Sequence, residues 1–489
     1  MLNFIIFIPI VAAIAILCGA AARRTAVAAA IGQFALSLLT LIFYDRAKGG
    51  FQFQSIHTIV PEWGLNYFVG ADGLSLLMVL LTGIVTLAAI ALAPPVPKRE
   101  GLYYACLLFM SAGAAGAFAS ADLFFFYAFH ELALIPTFLL IGLWGSGERH
   151  SAAWKITIYL GIGSFILLIG LIDLYLAVPP GSRTFNLIEL QRLGANGVIP
   201  AAAQGRPYLF LLIGFGVLIS LFPFHSWAPS AYASAPAPAA MLHAGVLKKF
   251  GLYGLIRVAL PLLPEGARQW VWLLLILLVG NIIYIGLATI AQRKLDFLLG
   301  YSSVMHMGYI FLGIAALNLV GISGAAMLMF AHGLSIAALF AMAGMLRQRN
   351  VTLALDGFGG LATSMPWLAF AFGLATFAAI GLPGFANFAG ELTIFFGAFK
   401  PAAGLSAPHF HLATVLALWG VVISAVYLLR AYRAIFLGAP ARDASAWIDT
   451  ARPLRWPIVL LLAALLVVGF APNALLAYVR PSVEALLPK

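Results

Sequence analysis

Long apolar runs separated by short polar loops dominate this chain. The runs are about 20 residues long, the length of helix needed to cross a bilayer's hydrocarbon core, and they do not alternate in the manner of a membrane barrel strand. The pattern predicts about fourteen membrane-spanning helices, over 2–21, 25–44, 71–93, 101–119, 121–143, 152–177, 207–229, 238–260, 269–291, 296–316, 320–346, 363–400, 411–436 and 455–473. The run at 363–400 is too long for one straight helix. Gly381-Leu382-Pro383-Gly384 interrupts it, which predicts two half-helices with an unwound middle. The run at 207–229 is broken likewise at Pro223, with Pro229 after it. Breaks at membrane depth survive where protein or a wet cavity satisfies the freed backbone.

The broken spans are the seventh and the twelfth. An odd separation gives them opposite orientations, the usual mark of an inverted repeat with a transport site between its halves. The expected fold is an all-α membrane protein of about fourteen transmembrane helices. It holds two inverted five-helix repeats, with helices 7 and 12 broken. Helices 1–3 occupy 1–100, the first repeat (helices 4–8) 101–260, the second (helices 9–13) 269–436, and helix 14 lies in 437–489. No clean sequence repeat accompanies this pattern.

Composition agrees. The chain has 489 residues, 63% of them hydrophobic and 9% charged, with mean hydropathy +1.04. A soluble protein of this length carries about 25% charged residues. The net charge of +11 is scattered over short loops, so it reports orientation in a lipid bilayer and not a nucleic-acid partner. With the N-terminus outside, the inside loops hold Arg23, Arg24, Lys98, Arg99, Arg149, Lys155, Arg293, Lys294, Arg347, Arg349, Arg430, Arg433, Arg442, Arg452 and Arg455. Basic residues are fewer and more diluted in the long loops 45–70 and 178–206. Both termini are therefore expected outside. The first run has no basic residues before it and reads as a retained helix. Cys18 and Cys106 lie in apolar runs without metal-ligand spacing and read as small buried residues.

Against this background a few ionisable side chains stand out. Glu131 sits in Leu123-Phe124-Phe125-Phe126-Tyr127-Ala128-Phe129-His130-Glu131-Leu132. A carboxylate at mid-membrane depth costs about 3 kcal/mol on insertion scales, so its presence points to proton or ion exchange. A structural carboxylate is the alternative. Lys248 and Lys249 are both mid-span. Neighbouring helix positions point about 100° apart, so one of the two is expected to face the bundle axis. Glu391 follows the second break, where Gly390 and Asn387 let water approach. His306 and His332 are mid-span and lie in sequence between Lys249 and Glu391, fitting a row of titratable groups. For His243 a packing role and a relay role are evenly balanced, and His225 beside Pro223 is weaker still. No phosphate-binding glycine motif, iron–sulfur cysteine cluster, haem histidine pair or Ser-His-Asp arrangement is present. No cofactor, metal or redox centre is expected in this chain.

Four segments, in order and spacing, resemble the antiporter-like M subunit (mitochondrial subunit 4 type) of proton-pumping NADH:quinone oxidoreductase, the respiratory complex I family. They are Phe129-His130-Glu131-Leu132-Ala133-Leu134-Ile135-Pro136, Leu221-Phe222-Pro223-Phe224-His225-Ser226-Trp227 with Ala235-Pro236, Tyr301-Ser302-Ser303-Val304-Met305-His306-Met307-Gly308, and Gly381-Leu382-Pro383-Gly384 through Gly390-Glu391. The resemblance runs over roughly 65–440. It implies a proton-translocating membrane-arm subunit coupled to quinone reduction elsewhere in the complex. Sister antiporter-like subunits would be its partners, in a bacterial inner membrane. Lys249 matches the family's eighth-helix lysine and His332 its eleventh-helix histidine. A glutamate at 391 is the M-subunit residue, where sister subunits and Mrp-type cation/proton antiporters usually carry lysine.

Some positions depart from the family. Its seventh-helix lysine falls here on Leu218. The usual Pro-Asp-Ala-His reads Pro229-Ser230-Ala231-Tyr232, and the usual Asp-x-Lys-Arg reads Lys294-Leu295-Asp296-Phe297. These departures keep open a non-conducting structural subunit, or a subunit of an Mrp-type antiporter or membrane-bound hydrogenase.

Overall fold

The computed structural model describes residues 1–61, 64–96, 98–349, 352–439 and 447–487. Arg442, one of the orienting residues, lies outside the described residues. Eleven helices among the described residues are long and apolar enough to cross a membrane. In chain order the bundle begins with α1 (Leu2–Leu17) and α2 (Ala22–Ile42). A two-stranded antiparallel hairpin follows, β1 (Gln52–Val60) and β2 (Leu65–Ala71). Next come α3 (Gly73–Ala91), α4 (Glu100–Ala119), α5 (Leu123–Trp144), α6 (Arg149–Ala177), the short α7 (Leu187–Ala195), α8 (Ala201–Ile219) and α9 (Trp227–Ser234). A composite helix, α10, covers 237–262 and includes two π-helical turns, His243–Leu247 and Leu255–Ala259. The second half of the chain holds α11 (Pro264–Ile290), α12 (Leu295–Ala315), α13 (Leu319–Arg347), α14 (Pro366–Ile380), α15 (Ala386–Phe399), α16 (Ala407–Phe436), α17 (Trp456–Phe470) and α18 (Asn473–Leu486).

Three features of the long loops differ from expectation. The 45–70 loop pairs with itself as the β-hairpin, so the fold is not purely helical. The 178–206 segment carries α7, whose Leu187, Leu190 and Leu193 are buried on one face. The seventh span begins at Ala201, six residues earlier than expected, because Pro207 is accommodated inside it. Cys18 is exposed at the end of α1, whereas Cys106 is buried.

The two breaks fall where Pro and Gly place them, and each is held by a side chain from a neighbouring helix. After α8 the chain turns through Ser220, at φ +70°, and the cis Phe222–Pro223 peptide. Asn281, from a π turn of α11, accepts from Phe222 N at 2.6 Å and donates to the Ser220 and Val304 carbonyls. Trp227 Nε1 donates to the Val217 carbonyl at 3.0 Å, which also accepts from Ser220 N. Such partners make unwound backbone tolerable at this depth. Between α14 and α15, Gly381 (φ +82°) and Gly384 (φ +96°) take left-handed conformations that disfavour residues with a Cβ.

Burial differs from helix to helix. The most apolar window of α13 is wholly buried, and those of α3, α4 and α12 nearly so. By contrast α2, α6 and α16 present exposed Ile, Leu, Phe and Trp side chains, suited to lipid. Helices α10 and α13 cross at Gly245 and Gly333, where a Cβ on either would crowd the other's carbonyl. This close approach is the small-residue contact common between membrane helices. It brings Lys249 of α10 against His332 of α13.

Candidate functional site

The crossing of α10, α12, α13 and the α14–α15 break gathers six of the eight candidate residues. Lys249 Nζ lies 2.5 Å from the Ala244 carbonyl and 3.0 Å from His332 Nδ1. The π turn at 243–247 shifts the backbone pairing, with Lys248 N bonding to His243 O. The His332 and His306 rings follow at 5.5 Å between centroids. His306 Nε2 is 2.9 Å from the Ala379 carbonyl, one of those freed by the second break, and Nδ1 is 2.7 Å from Ser302 O. Glu391 closes the row. Its side chain is buried, 3% exposed, and its Oε2 lies against Gly381, where a Cβ would overlap it.

Lys248 corrects the expectation that one lysine of the pair would face away. Both are buried, at 1% and 0% exposure, because α10 is enclosed on every side. Lys248 Nζ points to Ser303 of α12, 3.3 Å from its carbonyl and 3.5 Å from its hydroxyl, and lies 5.6 Å from the Tyr232 ring centroid. His243 Nδ1 is 3.2 Å from the Tyr232 hydroxyl. Tyr232, one of the positions that depart from the family pattern, thus links the two side chains.

Glu131 and His225 stand apart from this row. The Glu131 side chain is 35% exposed and its Oε1 is 3.5 Å from His130 Nδ1, with Tyr127 and Ser164 beside it. It faces a cavity of about 330 Å³ between α5 and α6, lined also by Leu134, Ile135, Thr137 and Thr157. The link inward is aromatic: the His130 ring stacks on Phe250 at 4.0 Å, next to Lys249 in the chain. Leu218 is buried near the same place, since a Cβ on Gly163 would lie 3.2 Å from its Cδ2 and Ser164 is the next residue. His225 stacks on Phe222 at 5.8 Å, and its buried Nδ1 has no hydrogen-bond partner among the described residues.

Several further polar residues complete the row, of which the sequence reading had named only Asn387. Asn387, one turn before Glu391 on α15, donates to Ser335 Oγ at 3.3 Å, and Ser335 donates to the His332 carbonyl. Ser302 Oγ and Tyr427 Oη are 2.8 Å apart. The Tyr309 ring packs edge-on against His306. Uncharged polar residues are common enough within spans that Ser335, Ser302, Tyr427 and Tyr309 did not stand out by type. Among the described residues, His332 Nε2, Asn387 Oδ1, Glu391 Oε1 and Tyr309 Oη are buried without a hydrogen-bond partner. Buried polar atoms are nearly always paired, with water where protein does not serve. Four in one row mark a place suited to water. No group of three or more His, Cys, Asp or Glu among the described residues could hold a metal ion.

A separate ion pair ties α10 to α3. Arg257 donates to Asp72 Oδ1 at 2.5 Å and to the Tyr253 hydroxyl at 3.2 Å, and Ser75 Oγ lies 2.9 Å from that hydroxyl. Asp72 also caps α3 by accepting from Ser75 N.

Known proteins share this fold. Residues 120–417 match the family model described as NADH:quinone oxidoreductase/Mrp antiporter, TM. The chain is 38% identical over 453 residues to the NAD(P)H-quinone oxidoreductase chain 4 1 of Synechococcus sp. (strain JA-3-3Ab), covering 91% of this chain and 85% of that one. A chain of respiratory complex I from Thermus thermophilus superposes over 100% of both chains with TM-score 0.88 at 29% identity. A chain of the Mrp complex from Dietzia sp. DQ12-45-1b superposes over 99% of this chain and 97% of its own, with TM-score 0.86; at 22% identity this likeness shows the fold alone.

Proposed function

The chain belongs to the NADH:quinone oxidoreductase/Mrp antiporter family, and from that membership we propose that it is the antiporter-like, proton-translocating membrane-arm subunit of a respiratory complex I. Quinone reduction takes place in other subunits, and this chain moves protons in response. Its partners are the other membrane-arm subunits, sister antiporter-like chains among them. The membrane is the bacterial inner membrane, with both termini on the outer side, and the two broken helices belong to inverted five-helix repeats.

The observation that carries this reading is the interior series Lys249, His332, His306 and Glu391, which ends at the α14–α15 break. Each step has a physical basis. Between Lys249 Nζ and His332 Nδ1 a single proton makes the bond, carried by either nitrogen. His306 is held between two carbonyl oxygens, which only accept. A neutral ring donates to one of them, and an imidazolium donates to both. A proton passed along from His332 therefore completes the second bond, and its release toward Glu391 undoes it. Glu391, beside left-handed glycines and Asn387, is the exchange group nearest the way out. Glu131, His130, His225, His243 and Lys248 serve the inward side of the same path.

In the assembled complex, Glu391→Gln keeps the size of the side chain and removes its exchangeable charge. Proton translocation driven by NADH oxidation falls, measured by dye quenching in inside-out vesicles. Translocation at the parental level would remove the assignment. One observation favours a second reading, a structural subunit that conducts nothing: Leu218 supplies no cation near Glu131.

A further inference from the structure

A short polar branch leaves the row at His306 and runs to α16. Ser302 stands one helical turn before His306 on α12, so its carbonyl and its hydroxyl both lie beneath the ring. His306 Nδ1 is 2.7 Å from the Ser302 carbonyl and 3.5 Å from the Ser302 hydroxyl. That hydroxyl is 2.8 Å from Tyr427 Oη, and Tyr427 Oη is 3.4 Å from Met305 Sδ. His306, Ser302 and Tyr427 are all buried. Among the described residues the branch ends at the Met305 sulfur, a weak acceptor that donates nothing. It is therefore a closed side arm and not a second conduit.

This arm makes the two ring nitrogens of His306 unequal. Nε2 faces the Ala379 carbonyl at 2.9 Å, and among the described residues no hydroxyl bonds to it. A carbonyl only accepts, so a bare Nε2 sets two lone pairs against each other. Nδ1 also faces a carbonyl, but it has a hydroxyl beside it that can donate. The neutral ring is therefore best satisfied with its proton on Nε2 and the Ser302 hydroxyl turned onto Nδ1. Tyr427 allows that turn. While Nδ1 carries a proton, Ser302 donates to Tyr427 Oη and Tyr427 donates to Met305 Sδ. When Nδ1 is bare, Ser302 donates to Nδ1 and Tyr427 swings its proton onto Ser302 Oγ. Two O–H bonds rotate, no covalent bond breaks, and neither hydroxyl loses its hydrogen bonding in either state.

We propose that Ser302 and Tyr427 are positioning residues for His306, a pair of hydroxyls that reverse direction whenever the ring passes between imidazolium and imidazole. The pair also fixes the neutral ring's remaining proton on Nε2. This rests on the proton-translocation reading for its purpose. Without the hydroxyls, the neutral ring leaves one nitrogen bare against a carbonyl whichever tautomer it takes. Emptying His306 is then harder than in the parent, because a buried polar atom without a partner is costly. With the hydroxyls in place, both ring forms are satisfied, and His306 fills and empties within one fixed setting of α12, α14 and α16.

The test is infrared difference spectroscopy on the assembled complex, NADH-driven turnover minus rest, with ring-deuterated tyrosine to identify tyrosine bands. A tyrosine hydroxyl that turns from sulfur to oxygen shifts its C–O stretch. The parent shows such a tyrosine band. Tyr427→Phe removes it, and so do Ser302→Ala and His306→Gln, which leave Tyr427 in place. NADH-driven dye quenching, normalised to NADH oxidation and assembled complex, falls about fivefold or more in Tyr427→Phe and in Ser302→Ala, the cost of one unpaired buried acceptor. The double variant falls no further, because the two hydroxyls act as one unit. Ser302→Ala deletes a single oxygen and carries the test alone if Tyr427→Phe does not assemble. A parent without a tyrosine band, or a band that persists in Ser302→Ala, overturns the proposal. So does parental translocation in the hydroxyl variants, and if Glu391→Gln is impaired in the same assay the transport reading survives that failure. Parental translocation in Glu391→Gln removes the transport reading itself, even where the tyrosine band behaves as described.

Discussion

A methyl group placed on Gly381 tests whether the α14–α15 break exists to seat Glu391. Gly381 has φ +82°, and Gly384, three residues on, has φ +96°. An L-residue in the left-handed region costs roughly 1–2 kcal/mol, so Gly381→Ala and Gly384→Ala pay a similar backbone penalty. Their surroundings differ. A Cβ at 384 meets nothing closer than Phe470 Cζ at 3.5 Å, an ordinary contact, whereas a Cβ at 381 overlaps the Glu391 carboxylate. That carboxylate has to leave its place. Displacing a buried polar group from its arrangement costs a further ~1–3 kcal/mol. In population this is about 5- to 150-fold against the seated geometry. The assay is NADH-driven dye quenching in inside-out vesicles, normalised to NADH oxidation and to the amount of assembled complex. Gly384→Ala serves as the matched control for backbone strain. The reasoning predicts that Gly381→Ala translocates far less than Gly384→Ala at similar assembly. Equal loss in the two variants would show that the glycines serve the turn alone and that Glu391 is not seated by it.

Two further outcomes follow from other parts of the bundle. Removing one partner of the buried Asp72–Arg257 pair leaves a stranded charge, so Asp72→Asn and Arg257→Met should each cost about 3–5 kcal/mol. The double variant should cost less than the sum, read by thermal unfolding of the purified complex, and full additivity would contradict it. Leu218→Lys, compared with Leu218→Met for bulk, should raise proton translocation by supplying a cation near Glu131. An assembled Leu218→Lys complex with no gain would favour the structural reading.

Much of the architecture was legible because lipid imposes strict terms on sequence. Long apolar runs, the Pro223 break and the Gly381–Gly384 break each correspond to helix or helix end in the structure. Lys249, His332 and Glu391 stood out because ionisable groups are rare in such runs, and the structure brings them together. What the sequence hid depends on partners far along the chain. Nothing near Pro223 shows that Asn281 will hold the broken backbone. Nothing near Tyr232 shows that it joins Lys248 to His243. The β-hairpin was missed because its first strand mixes exposed polar and apolar residues without clean alternation. The burial of Lys248 beside Lys249 was missed because the argument from helix faces assumed that α10 has an outer side, and an enclosed helix has none.

The π turns of α10 have a mechanical consequence. In the turn at 243–247 each ring of hydrogen bonds encloses one residue more than in an α-helix, directly beneath the two lysines. Tightening that turn to ordinary α pitch would need no unfolding, only an exchange of neighbouring carbonyl acceptors. It would swivel everything above it by about 100°, the angle between adjacent residues. Such a rewinding would carry the Lys249 ammonium away from His332 and change what Lys248 faces. The spare residue in the helix is thus a built-in allowance for rotation, placed where turning the axis would make or break the conducting line.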